Sequence, residues 1–443
     1  MQPWARRFFL FRPVKSASLR LLETGARIFG DSTPGTGLLL EYFRIRPLPN
    51  MKTYLLSIFE KKKGEIDALN GIRAIGILMV MTYHLWVSKK QMMSPMPDIL
   101  LWFIRNQLMI VDVFFVLGGF LSYYGVLSSY AKEGAFPYRK FLVNRSLRIL
   151  PAYYFALAFS YFYARNQIMG LASNPNPSPE LLTLIAKGQA ALGYIWSDVL
   201  FVSNYFPRVM DVGWYVSMEQ QCYLVLVALG PFFLFNKTLR TRVVILTVLY
   251  FIPLVCRFVE YSHGTMDYFA TFYTQNRFDS LVAGMLLAEY VVWRKNKGPL
   301  TKSEYYTFFA LGTLLLGLSY TFDWDHWIRP TLTTNFYNLG IAVLILLGIQ
   351  DYGIVKKVLG SVIFRPIARV SFTAYLWNIP LMGIATRWAL RGETVITPWV
   401  LPKFYIVCFG FTFLVSWIIF LAIEQPILWW RDRPKSPIES KVP

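Results

Sequence analysis

Histidine and cysteine are scarce, with three of each in 443 residues. Cys222, Cys256 and Cys408 each stand in an apolar run and none belongs to a Cys-x-x-Cys pair, which excludes a disulfide framework and a thiolate zinc cluster. His84, His263 and His326 are far apart and no His-Glu-x-x-His helix occurs, so no metal is expected. Charge is scarce as well: Asp, Glu, Lys and Arg make up 16% of the chain against 55% apolar residues and 17% aromatics. That balance excludes both a disordered chain and a string of soluble domains. What remains is a chain whose apolar surface must face lipid.

A helix that crosses a bilayer needs about 20 mainly apolar residues, because each buried backbone group must find its partner within the segment. Ten stretches meet or approach this requirement: Leu69–Val87, Gln107–Leu127, Leu150–Tyr163, Met218–Phe235, Val243–Phe258, Phe278–Trp293, Tyr306–Phe322, Leu332–Ile349, Val370–Trp388 and Phe404–Ile423. The sequence therefore predicts an all-α polytopic bundle of about ten transmembrane helices over residues 66–425. A basic cytoplasmic segment over residues 1–65 precedes it and a cytoplasmic tail over residues 426–443 follows. With Leu69 at the cytoplasmic face, more than twice as many Lys and Arg fall on the cytoplasmic side as on the outer side. Both termini are then cytoplasmic, as expected for a multi-pass protein of the cell inner membrane. This topology and anionic headgroups account for the net charge of +20, so nucleic acid is not needed as a partner.

Residues 1–50 carry eight Lys and Arg and no run long enough to span. Arg6-Arg7 before Phe8-Phe9-Leu10-Phe11 resembles a twin-arginine signal, but Arg12 and Pro13 interrupt the apolar run. The break in character at Met51 leaves two readings open, an unstructured basic extension or a natural start at Met51. In the outer segment from Ala164 to Ser217, Leu181–Phe201 is apolar but punctuated by polar residues. It reads as an interfacial or re-entrant helix that covers the outer mouth of a site.

Ionisable groups inside a span are costly, so each is a functional candidate. Arg73 and His84 share the first span; 11 residues apart, they differ by only ~20° in direction but by ~16 Å in depth. Arg73 falls near the cytoplasmic surface and His84 near the outer one. Asp112, Glu219 and Arg277 sit at the outer ends of their spans, which predicts an outer charged layer with His84. On the cytoplasmic side Arg145 and Arg148 join Arg73 in an arginine layer suited to phosphate. Plainer readings exist: Arg73 can snorkel, His84 can be a packing residue, and Arg145 and Arg148 can be loop charges.

Six motifs in order then carry a resemblance. They are Arg73-x10-His84, Phe114-Phe115-Val116-Leu117-Gly118-Gly119-Phe120, Arg145-Ser146-Leu147-Arg148-Ile149-Leu150-Pro151, Trp214-Tyr215-Val216-Ser217-Met218-Glu219-Gln220, Asn276-Arg277-Phe278-Asp279-Ser280-Leu281 and Ser371-Phe372-Thr373-Ala374-Tyr375-Leu376-Trp377. From about Leu69 to Glu424 the chain resembles the acyltransferase-3 family. The resemblance implies a membrane O-acyltransferase that moves an acetyl group from cytoplasmic acetyl-CoA to a carbohydrate hydroxyl, for example on a cell-surface polysaccharide. In that setting Arg73, Arg145 and Arg148 hold the CoA phosphates, the pantetheine arm threads inward to His84, and the acceptor enters from outside.

Under the same resemblance His84 is the general base, Asp112 its orienting partner and Glu219 the alternative partner. Arg277 either stabilises the oxyanion or pairs with Glu219. No Gly-x-Ser-x-Gly elbow occurs, which favours direct transfer over a serine acyl-enzyme. The implied partners are the lipid bilayer, the acceptor and proteins of polysaccharide synthesis. Two positions depart from the family: Gly118 stands where serine is usual, and Asn378 where histidine is frequent. Asn378, uncharged in mid-span, is expected to hydrogen-bond to substrate or to a neighbouring helix. The competing readings are a transporter or flippase of a glycan or lipid precursor and a non-catalytic scaffold. No inverted halves or paired broken helices favour transport.

Overall fold

The computed structural model describes residues 50–431 other than 63, 135, 137, 323–325 and 394. The expectations for residues 1–49 and for the tail beyond residue 431 lie outside the described residues. A short helix covers Met51–Leu56, and the compact body runs from Leu55. Among the described residues the architecture is all-helical, with one isolated bridge between Met93 and Ile396.

The long helices are α1 (Asp67–Lys89), α2 (Asp112–Glu133), α3 (Tyr138–Ala172), α4 (Pro179–Gly193), α5 (Gly213–Gly230) and α6 (Leu239–Ser262), followed by α7 (Asp279–Arg294), α8 (Lys302–Thr321), α9 (Thr333–Gly348), α10 (Phe364–Leu390) and α11 (Val400–Ile419). All ten apolar stretches fall on helix. Some continue into tighter or wider turns, as where α5 runs into the π turn Pro231–Phe235 and α11 into the π turn Phe420–Glu424. Five segments are long and apolar enough to cross a membrane by length and composition: Asp67–Lys89, Asp98–Glu133, Gly213–Phe235, Leu239–Ser262 and Val400–Arg431. The stretch Leu150–Tyr163 is only the middle of α3, a helix of 35 residues that carries Arg145, Arg148 and Pro151 within it. Between α3 and α5, α4 starts where the Ser178 hydroxyl accepts the Leu181 N–H at 3.3 Å, with Pro179 in the first turn where its missing N–H costs nothing.

Packing is set by small residues. A Cβ added at Gly119 would run into the Leu281 carbonyl, and one added at Gly284 would run into the Val116 carbonyl, so α2 and α7 touch backbone to backbone through reciprocal glycines. Gly71 brings α1 equally close to Leu359, at the end of the short helix Ile354–Leu359. α10 packs against both α1 and α11, and α8 against α9. Because only rigid backbone faces its missing Cβ, Gly284→Ala is expected to destabilise the fold by about 1–3 kcal/mol, an overpacking cost. Thermal unfolding of the purified protein in detergent checks this.

Candidate active site

The opposite stripe of α2 lines a cavity. Phe114, Leu117, Gly118 and Leu121 recur at i, i+3, i+4 and i+7, while Val116, Gly119 and Phe120 face α7. Across this chamber of about 80 Å³ stand Arg73 of α1, Arg145 and Arg148 of α3, Tyr215 and Glu219 of α5, and Tyr375 of α10. A wider cavity of about 500 Å³ adjoins it, sharing Leu121, Arg145 and Arg148 and adding Lys140 and Asn144.

Three guanidinium groups thus converge on the chamber, against the single carboxylate of Glu219 in its wall. Arg145 donates to the Ser122 hydroxyl and lies over the Tyr223 ring at 5.1 Å. Arg73 and Arg148 make no hydrogen bond or ion pair among the described residues. Glu219 accepts from the Tyr223 hydroxyl at 2.7 Å. In a medium of low dielectric, cations with so little compensation fit a ligand that brings several negative charges. At Gly118 an added Cβ would sit 3.4 Å from both the Glu219 carboxylate and the Tyr223 hydroxyl, so the serine expected from the resemblance has room there.

His84 lies apart from the chamber. Its Nδ1 is 2.6 Å from Oδ1 of Asn378 on α10. Tyr215 and Tyr375 of the chamber wall meet edge to face at 5.2 Å, and the lining does not include His84. Tyr375 is anchored by its hydroxyl, which donates to the Val212 carbonyl at 3.1 Å. The chamber that the arginines line therefore does not take in His84, and the open passage expected between them is not part of it. Asn378, the ring partner of His84, is one turn from Tyr375 of the chamber wall.

The expected outer layer needs correction. Asp112, expected to orient His84, is held in a two-pronged pair with Arg277 (both contacts 2.8 Å) and also accepts from Ser280 at 3.0 Å. A guanidinium fork satisfies both carboxylate oxygens at once, which an imidazole cannot do. Glu219 meets neither His84 nor Arg277; it belongs with the arginines. Arg277 also covers the Trp214 ring at 5.1 Å.

Two features were not singled out from the sequence. The first is the role of Asn378 as the ring partner of His84. The second is Arg257, 2% exposed, which donates to Asp279 at 2.8 Å, to Asn335 at 2.6 Å, and to the Thr331 and Asn276 carbonyls. A lone arginine inside the apolar run of α6 was the available signal. Among the described residues no three His, Cys, Asp or Glu cluster to hold a metal.

Comparison with known proteins gives the family. A protein of Staphylococcus aureus (strain COL), provisionally named an O-acetyltransferase, is 23% identical over 383 residues, covering 83% of this chain and 58% of that protein. The O-acetyltransferase OatA of Staphylococcus aureus (strain NCTC 8325 / PS 47) is 22% identical over 386 residues, covering 82% and 57%. The chain thus spans somewhat under three fifths of the length of these curated relatives. No solved structure matches. The model of one family, acyltransferase-3, described as an acyltransferase domain, matches residues 66–421, and the chain belongs to that family.

Proposed function

We propose that this protein is a membrane O-acyltransferase that moves an acetyl or other short acyl group from cytoplasmic acyl-CoA to a carbohydrate hydroxyl at the outer face. In this reading the ten apolar helices all span the inner membrane, with both termini in the cytoplasm. One observation carries the proposal: Arg73, Arg145 and Arg148 converge on a chamber that adjoins a wider basic cavity on the side assigned to the cytoplasm. Paired donors on guanidinium groups match phosphate oxygens, and the diphosphate and ribose phosphate of CoA bring the negative charge that the chamber lacks.

The reaction needs little else from the protein. The acceptor oxygen attacks the thioester carbonyl carbon, the C–S bond breaks, and the hydroxyl proton passes through His84 to the departing thiolate. Because the arginine chamber does not take in His84, its wall near Tyr375, one turn from Asn378, must open for the thioester to reach the imidazole. Asp112 and Arg277 act as a structural pair at the outer end of α2 and α7. The products of transfer are consumed or exported by polysaccharide-synthesis proteins.

The test uses inside-out membrane vesicles that contain the full chain, supplied with acetyl-labelled acetyl-CoA. Label should appear on glycan, and Arg148→Gln should raise KM for acetyl-CoA by roughly 10- to 100-fold, the worth of a hydrogen bond to a charged group. Glycan movement without acyl transfer would establish the transporter reading instead.

A further inference from the structure

From the contact between α1 and α10 we infer that Asn378 is a positioning residue that holds neutral His84 with its proton on Nδ1 and so leaves Nε2 as the basic atom. The inference rests on the reading of His84 as the general base.

A carboxamide has two chemically distinct ends. The Asn378 NH2 group donates to the Tyr375 carbonyl one turn earlier on the same helix, which turns its oxygen toward His84. That oxygen can only accept, so the imidazole nitrogen facing it at 2.6 Å must carry the hydrogen. Rotating the amide by half a turn would set its oxygen against the Tyr375 carbonyl, which loses that bond and leaves two acceptors in contact, whatever the ring then accepts from the NH2. Asn378 is fully buried, at 0% exposed, so no water replaces that bond. The mount is itself fixed, because Tyr375 is tied to Val212 and Thr373 is hydrogen-bonded to Glu424.

The chemical consequence follows from what an amide lacks. A carboxylate in this position would set the tautomer and also stabilise the imidazolium. Asn378 sets the tautomer alone, since an uncharged amide in contact with the ring brings no negative charge to the imidazolium. His84 therefore accepts the acceptor's proton through Nε2 and must pass it on to the leaving thiolate, since no adjoining anion retains it.

The test exploits the small number of histidines, three in the whole chain. The full-length protein, labelled with 15N in its imidazoles and placed in lipid nanodiscs, gives spectra in which a protonated and an unprotonated ring nitrogen are distinct. His84→Gln identifies the signals of His84. The expected result is protonated Nδ1 and unprotonated Nε2 for neutral His84, whereas a proton on Nε2 overturns the inference. Asn378→Leu should release this preference, and an unchanged tautomer in that variant also overturns it. Asn378→Asp should keep the proton on Nδ1 and move protonation of His84 to higher pH, since a contacting anion favours the cation. In the vesicle assay Asn378→Leu should lower kcat with KM for acetyl-CoA unchanged, by up to the about 10²- to 10⁴-fold that a positioned base supplies. If the spectra show the stated tautomer but His84→Gln keeps full acyl transfer, the assignment of His84 as base fails while the positioning geometry stands.

Discussion

Replacing His84 by glutamine is expected to lower acyl transfer by about 10²- to 10⁴-fold, the range of a positioned general base, while the amount of protein in the membrane stays the same. Glutamine suits the test because its NH2 group can still donate to the Asn378 oxygen and its volume disturbs little of the α1–α10 contact. KM for acetyl-CoA should hold, since Arg73 lies ~16 Å along α1, three turns from the change. Label transfer from acetyl-CoA in vesicles measures both parameters. Undiminished transfer would remove His84 from the chemistry.

The second large effect is on stability. Asp112→Ala leaves Arg277, 5% exposed, as a buried cation without its carboxylate. Breaking such a pair costs about 3–5 kcal/mol, enough to make most of the protein fail to accumulate or to unfold at much lower temperature. Removing both charges together is far less costly, because apolar side chains of similar volume need no desolvation. The double variant Asp112→Leu, Arg277→Met is therefore expected to recover most of the lost stability. If it folds and still transfers acyl groups, the pair is structural, as proposed. If it folds but is inactive, Asp112 and Arg277 return to the catalytic machinery.

The helices were legible because hydrophobicity is a one-dimensional signal, and every apolar stretch named from the sequence lies on helix. Depth was legible too, since helical rise is fixed per residue. Arg73, Arg145 and Arg148 were assigned one level, and they line one chamber. Direction around each helix was much less legible. Asp112 was placed at a depth similar to that of His84, yet its helix turns it toward α7 and Arg277. Glu219 was counted with the outer residues because it lies near the start of its span, but α5 aims it inward at the arginines. Asn378 was expected to bond to substrate or to a neighbouring helix, and the neighbour is α1. Which helix meets which is decided by contacts such as Gly119 with Leu281, and no periodicity within a single segment reveals them.

Those glycine contacts also constrain how the protein moves. Backbones that interlock without side chains between them cannot slide in small increments, so α2 and α7 behave as one rigid post. The α2 face behind that lock is the fixed wall of the arginine chamber. Any breathing that admits a long, flexible substrate must then come from the other wall, where the Tyr215 and Tyr375 rings and the Tyr375–Val212 hydrogen bond join α10 to the start of α5. Catalysis in this bundle would thus be gated by a hinged door hung against an immobile jamb.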